Sequence, residues 1–302
     1  MQQIAQKIRF SPISLNDKPL FDDFFRRNDK ISSVNDFSTI FCWNISGHTE
    51  YAVIDDVLIV YNIYKGKKVY YFPISKSEHS LRPYVEMILD MEDCNSHLIA
   101  QIEEKDIKDL QGINSYNLIS DRDFSDYIYL MEDLRDLKGK KLHGKKNHLN
   151  KFINSYNYIF REYKNQDYEQ CLGLYDLWLK NSGMEETHER TAIILALNNL
   201  EYLNLKCGVI EIDGHVRAFS VNSILLNGKA GNVLFEKADI NYEGIFAAIN
   251  NFCVKEFFKD VKYINRQEDM GIEGLRKAKL SYRPAFILNK YKLICDKDNN
   301  KI

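Results

Sequence analysis

Apolar residues in the second half of the chain follow helical and strand periods in turn. From Tyr168 to Leu179 they recur three or four residues apart, which predicts a buried helix face. Three apolar runs follow, and the Asp-Gly and Asn-Gly pairs between them are typical of tight hairpin turns. The pattern predicts the order β-α-α-β-β-β-α-β-α-β, with helices at 166–181, 189–203, 242–258 and 271–280 and strands at 158–163, 205–212, 216–226, 229–238, 263–264 and 285–295.

The first half shows a looser version of this order. Its predicted helices are 18–28, 80–91 and 103–110, and its predicted strands are 37–43, 51–54, 57–64, 69–74, 97–102, 114–120 and 127–130. Residues 131–156 predict a basic helical connection between the halves. We therefore predict an α/β (α+β) fold of two similar halves, in which mixed, mainly antiparallel sheets are flanked by helices.

Composition limits the number of domains and the kinds of partner, but it does not indicate an activity. The 302 residues fit about two domains, and a formal net charge of −2 argues against binding a polyanion through overall charge. No apolar stretch approaches the roughly 18 residues of a membrane span. The N-terminus has no apolar core of a signal peptide. Six scattered cysteines predict reduced, buried thiols. We expect a cytoplasmic protein without a transmembrane segment.

Several well-known chemical motifs are missing from the sequence. It has no P-loop, no G-x-G-x-x-G, no G-x-S-x-G and no H-E-x-x-H pattern. These absences argue against P-loop ATPases, Rossmann dehydrogenases, α/β-hydrolases and zincins. The seven histidines form no ligand cluster, and His143 and His148 stand among lysines, so we expect no metal site and no tightly bound cofactor.

A basic segment and a glycine at a strand-to-helix junction are candidates for binding an anion. The segment contains Lys140, Lys141, Lys145 and Lys146, which form either a solvated helix face or a site for a phosphate-rich donor. Gly244 stands where the third strand of the meander leads into a long helix. It either makes an ordinary turn or exposes backbone N–H groups to a phosphate or carboxylate.

The most unusual polar segment, residues 265–284, follows a short apolar strand. Polar residues past a strand end are typical of sites in α/β proteins. Glu268 and Asp269 are candidates for a general base or for orienting an amine, and Asp269 is also a candidate helix cap. The cations that could stabilise an oxyanion or hold phosphate are Arg276, Lys277 and Lys279. The alternative is a charged surface helix.

At these residues the sequence resembles a known family. The stretches DYIYLMEDLRDLKGKKLHGKKNHLNKF, FEKADINYEGIFAAINNF and YINRQEDMGIEGLRKAKLSYRPAFILNKY resemble the bacterial DUF2156 family, which is similar to the C-terminal domain of phosphatidylglycerol lysyltransferases. The resemblance implies a tandem of two GNAT-like (acyl-CoA N-acyltransferase-like) halves, as in the Fem peptidyltransferases. We accordingly divide the chain into an N-terminal half at 1–130, a basic connection at 131–156 and a C-terminal half at 157–302.

The resemblance also implies an activity. Such enzymes move an aminoacyl group from aminoacyl-tRNA to a hydroxyl or amine acceptor. It implies Glu268 and Asp269 for acceptor orientation or proton transfer, and Arg276 and Lys279 for carbonyl or phosphate stabilisation. It also implies Lys140, Lys141, Lys145 and Lys146 for binding the donor, and the residue chemistry above adds Gly244 and Lys277 to that set. The expected partner is tRNA, and the acceptor is a small molecule, a peptide or a lipid. The alternatives are an acyl-CoA-dependent N-acyltransferase and a non-enzymatic module that keeps the fold.

Overall fold

The computed structural model describes residues 8–44, 48–93, 97–114, 116–182 and 188–295. In chain order its α-helices are α1 (Lys18–Arg26), α2 (Phe37–Cys42), α3 (Arg82–Met91), α4 (Met131–Asp136), α5 (His143–Ser155), α6 (Tyr168–Ser182), α7 (Glu189–Asn198), α8 (Ile245–Phe257) and α9 (Glu273–Leu280). Short 3-10 helices span Leu15–Asp17, Glu104–Leu110, Arg122–Phe124, Lys140–Leu142 and Asn165–Asp167.

The strands form two sheets. They are β1 (Ser11–Pro12), β2 (Glu50–Ile54), β3 (Val57–Tyr64), β4 (Lys67–Tyr71), β5 (Ile74–Ser75), β6 (His97–Glu103), β7 (Tyr116–Ser120), β8 (Asp126–Leu130), β9 (Tyr158–Glu162), β10 (Lys206–Ile212), β11 (His215–Ile224), β12 (Ala230–Ala238), β13 (Tyr263–Asn265), β14 (Phe286–Leu288) and β15 (Lys290–Cys295). One sheet has the order β1-β2-β3-β4-β6-β15-β7, with β5 beside β3, and the other has the order β9-β10-β11-β12-β13-β8-β14.

The two sheets repeat one another strand by strand. In each sheet, three antiparallel pairings are followed by one parallel pairing, β4 with β6 and β12 with β13. A helix, α3 or α8, lies between the two parallel strands in the chain, as a crossover connection requires. The predicted fold of two similar halves, with mainly antiparallel sheets and flanking helices, is confirmed.

Each half gives one strand to the sheet of the other half. Strand β8 pairs antiparallel with β13 and β14, while β15 pairs antiparallel with β6 and β7. The first residues of the two exchanged strands, Asp126 and Lys290, form an ion pair of 2.7 Å that is 0% and 1% exposed. The division at 131–156 remains a prediction, but neither sheet is built from one half alone.

Three sequence expectations are wrong in detail. Residues 37–43 do not form a strand but mostly helix α2, because Asp36 caps it by accepting a 3.0 Å hydrogen bond from the Ser38 N–H. The basic connection at 131–156 is not one helix, since it breaks after Asp136 at a left-handed Leu137. The last strand divides into β14 and β15, which lie in different sheets.

The cysteines depart from expectation at one position. Cys42, Cys171, Cys207 and Cys253 are free and buried, as predicted. Cys295 is disulfide-bonded, so the expectation of a reduced thiol is wrong for it. Cys94 lies outside the described residues.

Candidate functional site

The candidate site begins where two strands of the second sheet separate. Strand β12 pairs in parallel with β13 only over Ala230–Asn232, although β12 itself continues to Ala238. The chain leaving β13 therefore turns away from β12 and carries the polar segment from Arg266 onward. Gln267 and Met270 have left-handed backbones, with φ of 58° and 53°. A strained segment beside an opening between strands is a typical place for a site.

Asp269 holds this segment in place. Its buried carboxylate accepts two hydrogen bonds of 2.9 Å from Arg276, one of 3.2 Å from Arg122 and one of 2.5 Å from the Tyr127 hydroxyl. The Gly271 N–H donates a further bond of 2.9 Å. Burial alone would raise the pKa of Asp269, but the bonds from Arg276 and Tyr127 lower it to about 2. Asp269 is therefore a fully occupied carboxylate, and Arg276 is its main partner.

Glu268 has a different environment from its neighbour. It is half-buried, and in the described part of the chain its carboxylate makes no hydrogen bond to another side chain. Burial raises the pKa of Glu268, Asp126 raises it further, and the charges of Lys290 and Lys279 only partly offset this. A carboxylate with a raised pKa binds a proton more readily than a free carboxylate does, which suits a general base.

Lys279 stands close enough to Glu268 for the two charges to interact. Its ammonium donates to the backbone carbonyl oxygens of Arg266 and Gln267, the latter at 3.2 Å. Burial lowers the pKa of Lys279 to about 8, although the charge of Glu268 works in the opposite direction. The predicted residues Glu268 and Lys279 thus form one electrostatic group.

A cleft of about 310 Å³ lies at the N-terminus of α8. Two predicted donor-binding residues, Lys145 and Gly244, line it together with His148 and Tyr282. Gly244 adopts a left-handed backbone with φ of 86°, and a Cβ there would lie 2.1 Å from the His148 carbonyl oxygen. Only glycine fits this junction, which leaves the first turn of α8 facing the cleft.

The remaining predicted residues lie outside the cleft. Lys140, Lys141 and Lys146 are exposed on the 3-10 helix and on α5, and the exposed Lys277 pairs with Glu273 at 2.6 Å. The lining of the cleft does not include Glu268, Asp269, Arg276 or Lys279. The structure therefore brings the candidates together in groups: Lys145 with Gly244, Asp269 with Arg276, and Glu268 with Lys279.

One residue that joins these groups was not selected from the sequence. Arg266 pairs with Glu236 of β12 at 2.8 Å across the opening, and both side chains are nearly buried. Its guanidinium lies 4.7 Å from the centre of the Tyr282 ring, and Lys145 lies 4.2 Å from the same ring. Glu236, which follows the apolar run Val233–Phe235 within the predicted strand, was the available signal that a cation faces it.

The fold is shared with solved structures whose sequences differ widely from this one. FemX matches over 94% of this chain and 96% of its own length, with a TM-score of 0.62 at 6% identity. L-PGS from Bacillus licheniformis covers 92% of this chain and matches over 91% of its own, with a TM-score of 0.68 at 14% identity. Likeness at these identities shows a shared fold. Together with the family match below, it points to an acyltransferase or aminoacyltransferase.

The family model described as "Phosphatidylglycerol lysyltransferase, C-terminal" matches residues 25–294. The chain therefore belongs to this family, which confirms the resemblance to DUF2156. A conserved protein of unknown function from Bacteroides thetaiotaomicron is 34% identical, with a TM-score of 0.88 over 96% of this chain and 100% of that one. Among the described helices, none is long and apolar enough to cross a bilayer.

Proposed function

We propose that the protein transfers an aminoacyl group from aminoacyl-tRNA to an acceptor hydroxyl or amine. The observation that carries this proposal is the cleft at the start of α8. Lys145 and Gly244, far apart in sequence, both line it. A lysine beside the N-terminal turn of a helix suits a phosphate group, because the ammonium and the positive end of the helix dipole act together.

The exposed lysines extend this positive surface beyond the cleft. Lys140 and Lys141 lie on the 3-10 helix directly before α5, and Lys146 lies on α5 next to Lys145. In the described part of the chain none of the three has an ion-pair partner. A row of unpaired lysines suits the backbone of an RNA, whose binding is driven by release of counterions. The overall charge of −2 makes this local surface the natural place for a polyanion to bind.

The electrostatic group of Glu268 and Lys279 suits acyl transfer. The acceptor O–H or N–H attacks the carbonyl carbon of the aminoacyl ester, and Glu268 takes the acceptor proton. The new bond forms while the carbonyl oxygen takes the negative charge. The bond from carbon to the ribose oxygen then breaks, and the ribose oxygen takes back the proton from Glu268. The raised pKa of Glu268 suits both the uptake and the return of that proton.

A binding experiment tests the donor. Fluorescence anisotropy with charged and uncharged tRNA, over a series of salt concentrations, should give an affinity that falls as salt rises. Lys145→Ala should weaken binding and lower the salt slope by about 1, as expected for one lost phosphate contact. Lys180→Ala, an exposed lysine at the far end of α6, is the matched control and should bind normally. Binding that is absent or insensitive to salt would refute the tRNA donor.

A second candidate is an acyl-CoA-dependent N-acyltransferase. The same helix N-terminus with Lys145 beside it suits the pyrophosphate of coenzyme A. Acetyl-CoA at 100 times its Kd should then stabilise the folded protein by about 2.7 kcal/mol. A thermal-shift titration distinguishes the two donors, because only the CoA enzyme should melt at a higher temperature with acetyl-CoA.

A further inference from the structure

We propose that Arg266, through its unpaired Nη1 amino group, donates the hydrogen bond that stabilises the oxyanion formed during acyl transfer. This inference rests on the proposed function, since it assigns a role within that reaction. It concerns a residue that contacts the same Tyr282 ring as Lys145 of the donor cleft.

Arg266 is fixed at the opening between β12 and β13. Its Nη2 group donates a 2.8 Å hydrogen bond to Glu236, and the side chains of the pair are 13% and 10% exposed. Asn250 of α8 donates to the other oxygen of Glu236 at 3.2 Å. The guanidinium is thus tied to β12 and, through Glu236, to the helix whose N-terminus lines the cleft. A donor held this firmly needs little rearrangement when charge develops near it.

The Nη1 group of Arg266 is buried, and by distance and angle it makes no hydrogen bond within the residues that the structure describes. The nearby Tyr282 hydroxyl interacts with the Arg266 side chain, and it is the group that an oxyanion would replace. Buried donors in native proteins are nearly always paired, so an unpaired one calls for a functional explanation. An oxyanion at this position would supply the missing acceptor during the reaction.

The other cations near the opening are already engaged. Arg276 donates to both oxygens of Asp269 and also to Asp123 at 2.6 Å. Lys279 donates to two backbone carbonyl oxygens. Arg266 therefore offers an uncommitted donor where Arg276, the residue expected from the sequence, does not.

Tyr282 separates Arg266 from the donor cleft. Its ring lines the cleft, carries Lys145 at 4.2 Å and contacts Arg266 at 4.7 Å. The acyl end of a donor reaches Nη1 by displacing this ring. Binding of the donor phosphate by Lys145 removes one of the two cations that lie on the ring.

The test uses charged tRNA as donor and hydroxylamine as a surrogate amine acceptor, and follows the enzyme-dependent formation of hydroxamate. Arg266→Gln should lower kcat by about 10²–10³-fold, as loss of an oxyanion donor does, and leave KM within about twofold. Arg190→Gln, a surface arginine paired with Asp176, is the control and should keep wild-type activity. Methylguanidine added to Arg266→Ala should restore part of kcat, which a purely structural role would not allow.

The outcomes separate this inference from the proposed function. Should Arg266→Gln fail to fold, Arg266→Lys keeps a cation opposite Glu236 and should show the same loss of kcat. The inference alone is overturned if the wild-type protein is active and its Arg266 variants keep kcat within about threefold. It is also overturned if the variants raise KM and leave kcat unchanged. A wild-type protein that neither binds charged tRNA nor forms hydroxamate overturns the proposed function and the inference with it.

Discussion

Replacing Lys290 by Met removes one charge from the ion pair that joins the two exchanged strands. Asp126 would keep its hydrogen bonds from the Ser33 N–H at 2.8 Å, the Ser33 hydroxyl at 3.2 Å and Asn265 at 2.8 Å, but it would lose its cation. Breaking a fully buried pair by removing one partner costs about 3–5 kcal/mol. Since three neutral donors remain, we expect a loss near 3 kcal/mol in the free energy of unfolding.

A double variant separates the unpaired charge from the loss of packing. Asp126→Asn together with Lys290→Met removes both charges of the ion pair between the exchanged strands. The oxygen of the introduced amide would still accept from Ser33 and Asn265, and its nitrogen would donate to the Ser33 hydroxyl. We expect the double variant to recover at least half of the loss. Urea unfolding of the wild type, the single variant and the double variant at pH 7 measures this.

The loss of unfolding free energy in Lys290→Met should become smaller as the pH falls. In the wild type, burial raises the pKa of Asp126, but the charge and hydrogen bond of Lys290 outweigh it and leave the pKa lowered. The pair therefore stabilises the fold above the unfolded pKa of about 4 and loses effect as pH falls through the folded pKa. Without Lys290 we expect burial to outweigh the remaining hydrogen bonds and to raise the pKa of Asp126 above the unfolded value, so that the penalty shrinks on acidification. The reasoning is refuted if the free energy of unfolding of Lys290→Met lies within about 1 kcal/mol of the wild-type value at pH 7. It is also refuted if the difference between the two proteins is as large at pH 4.5 as at pH 7.

Three further predictions concern the site. Glu268→Gln should slow transfer by about 10²–10⁴-fold and abolish the rise of rate with pH through the raised pKa of Glu268, measured as a pH–rate profile. Asp269→Asn should lower the free energy of unfolding in urea by about 2 kcal/mol. Any change in its transfer rate should be the same from pH 6 to 9, because Asp269, with a pKa of about 2, does not titrate in that range. Gly244→Ala should destabilise by more than about 2 kcal/mol, whereas Gly139→Ala, with φ of 81° and open space around it, should cost only about 1–2 kcal/mol; equal losses would contradict the steric account.

The order of elements was predictable because its signals are local. The hairpins at Asp213 and Asn227 follow from the turn preferences of Asx-Gly pairs. Helix α2 was misassigned because nearly all of its residues are buried, so its apolar run carries no helical period. No local sequence pattern predicts the exchange of β8 and β15, because strand pairing between distant segments depends on the whole fold.

The site shows the same division between local and distant information. Lys145 and Gly244 were selected from a basic run and from a glycine at a junction, and both line the cleft. Arg122 and Tyr127, two of the partners of Asp269, were not predictable, because they come from the other half of the chain. Arg266 was passed over for the same reason, as its importance depends on Glu236 and Tyr282, which meet it only in the folded molecule.

The strand exchange sets an order for folding during synthesis. Strand β15 lies between β6 and β7, so the first sheet stays divided until the last described strand has left the ribosome. Strand β8, in contrast, is made early and must wait for β13 and β14 before it has neighbours. A nascent chain that stops before Lys290 should therefore expose two unpaired strand edges and depend on chaperones, even though its entire second half except β15 has been made.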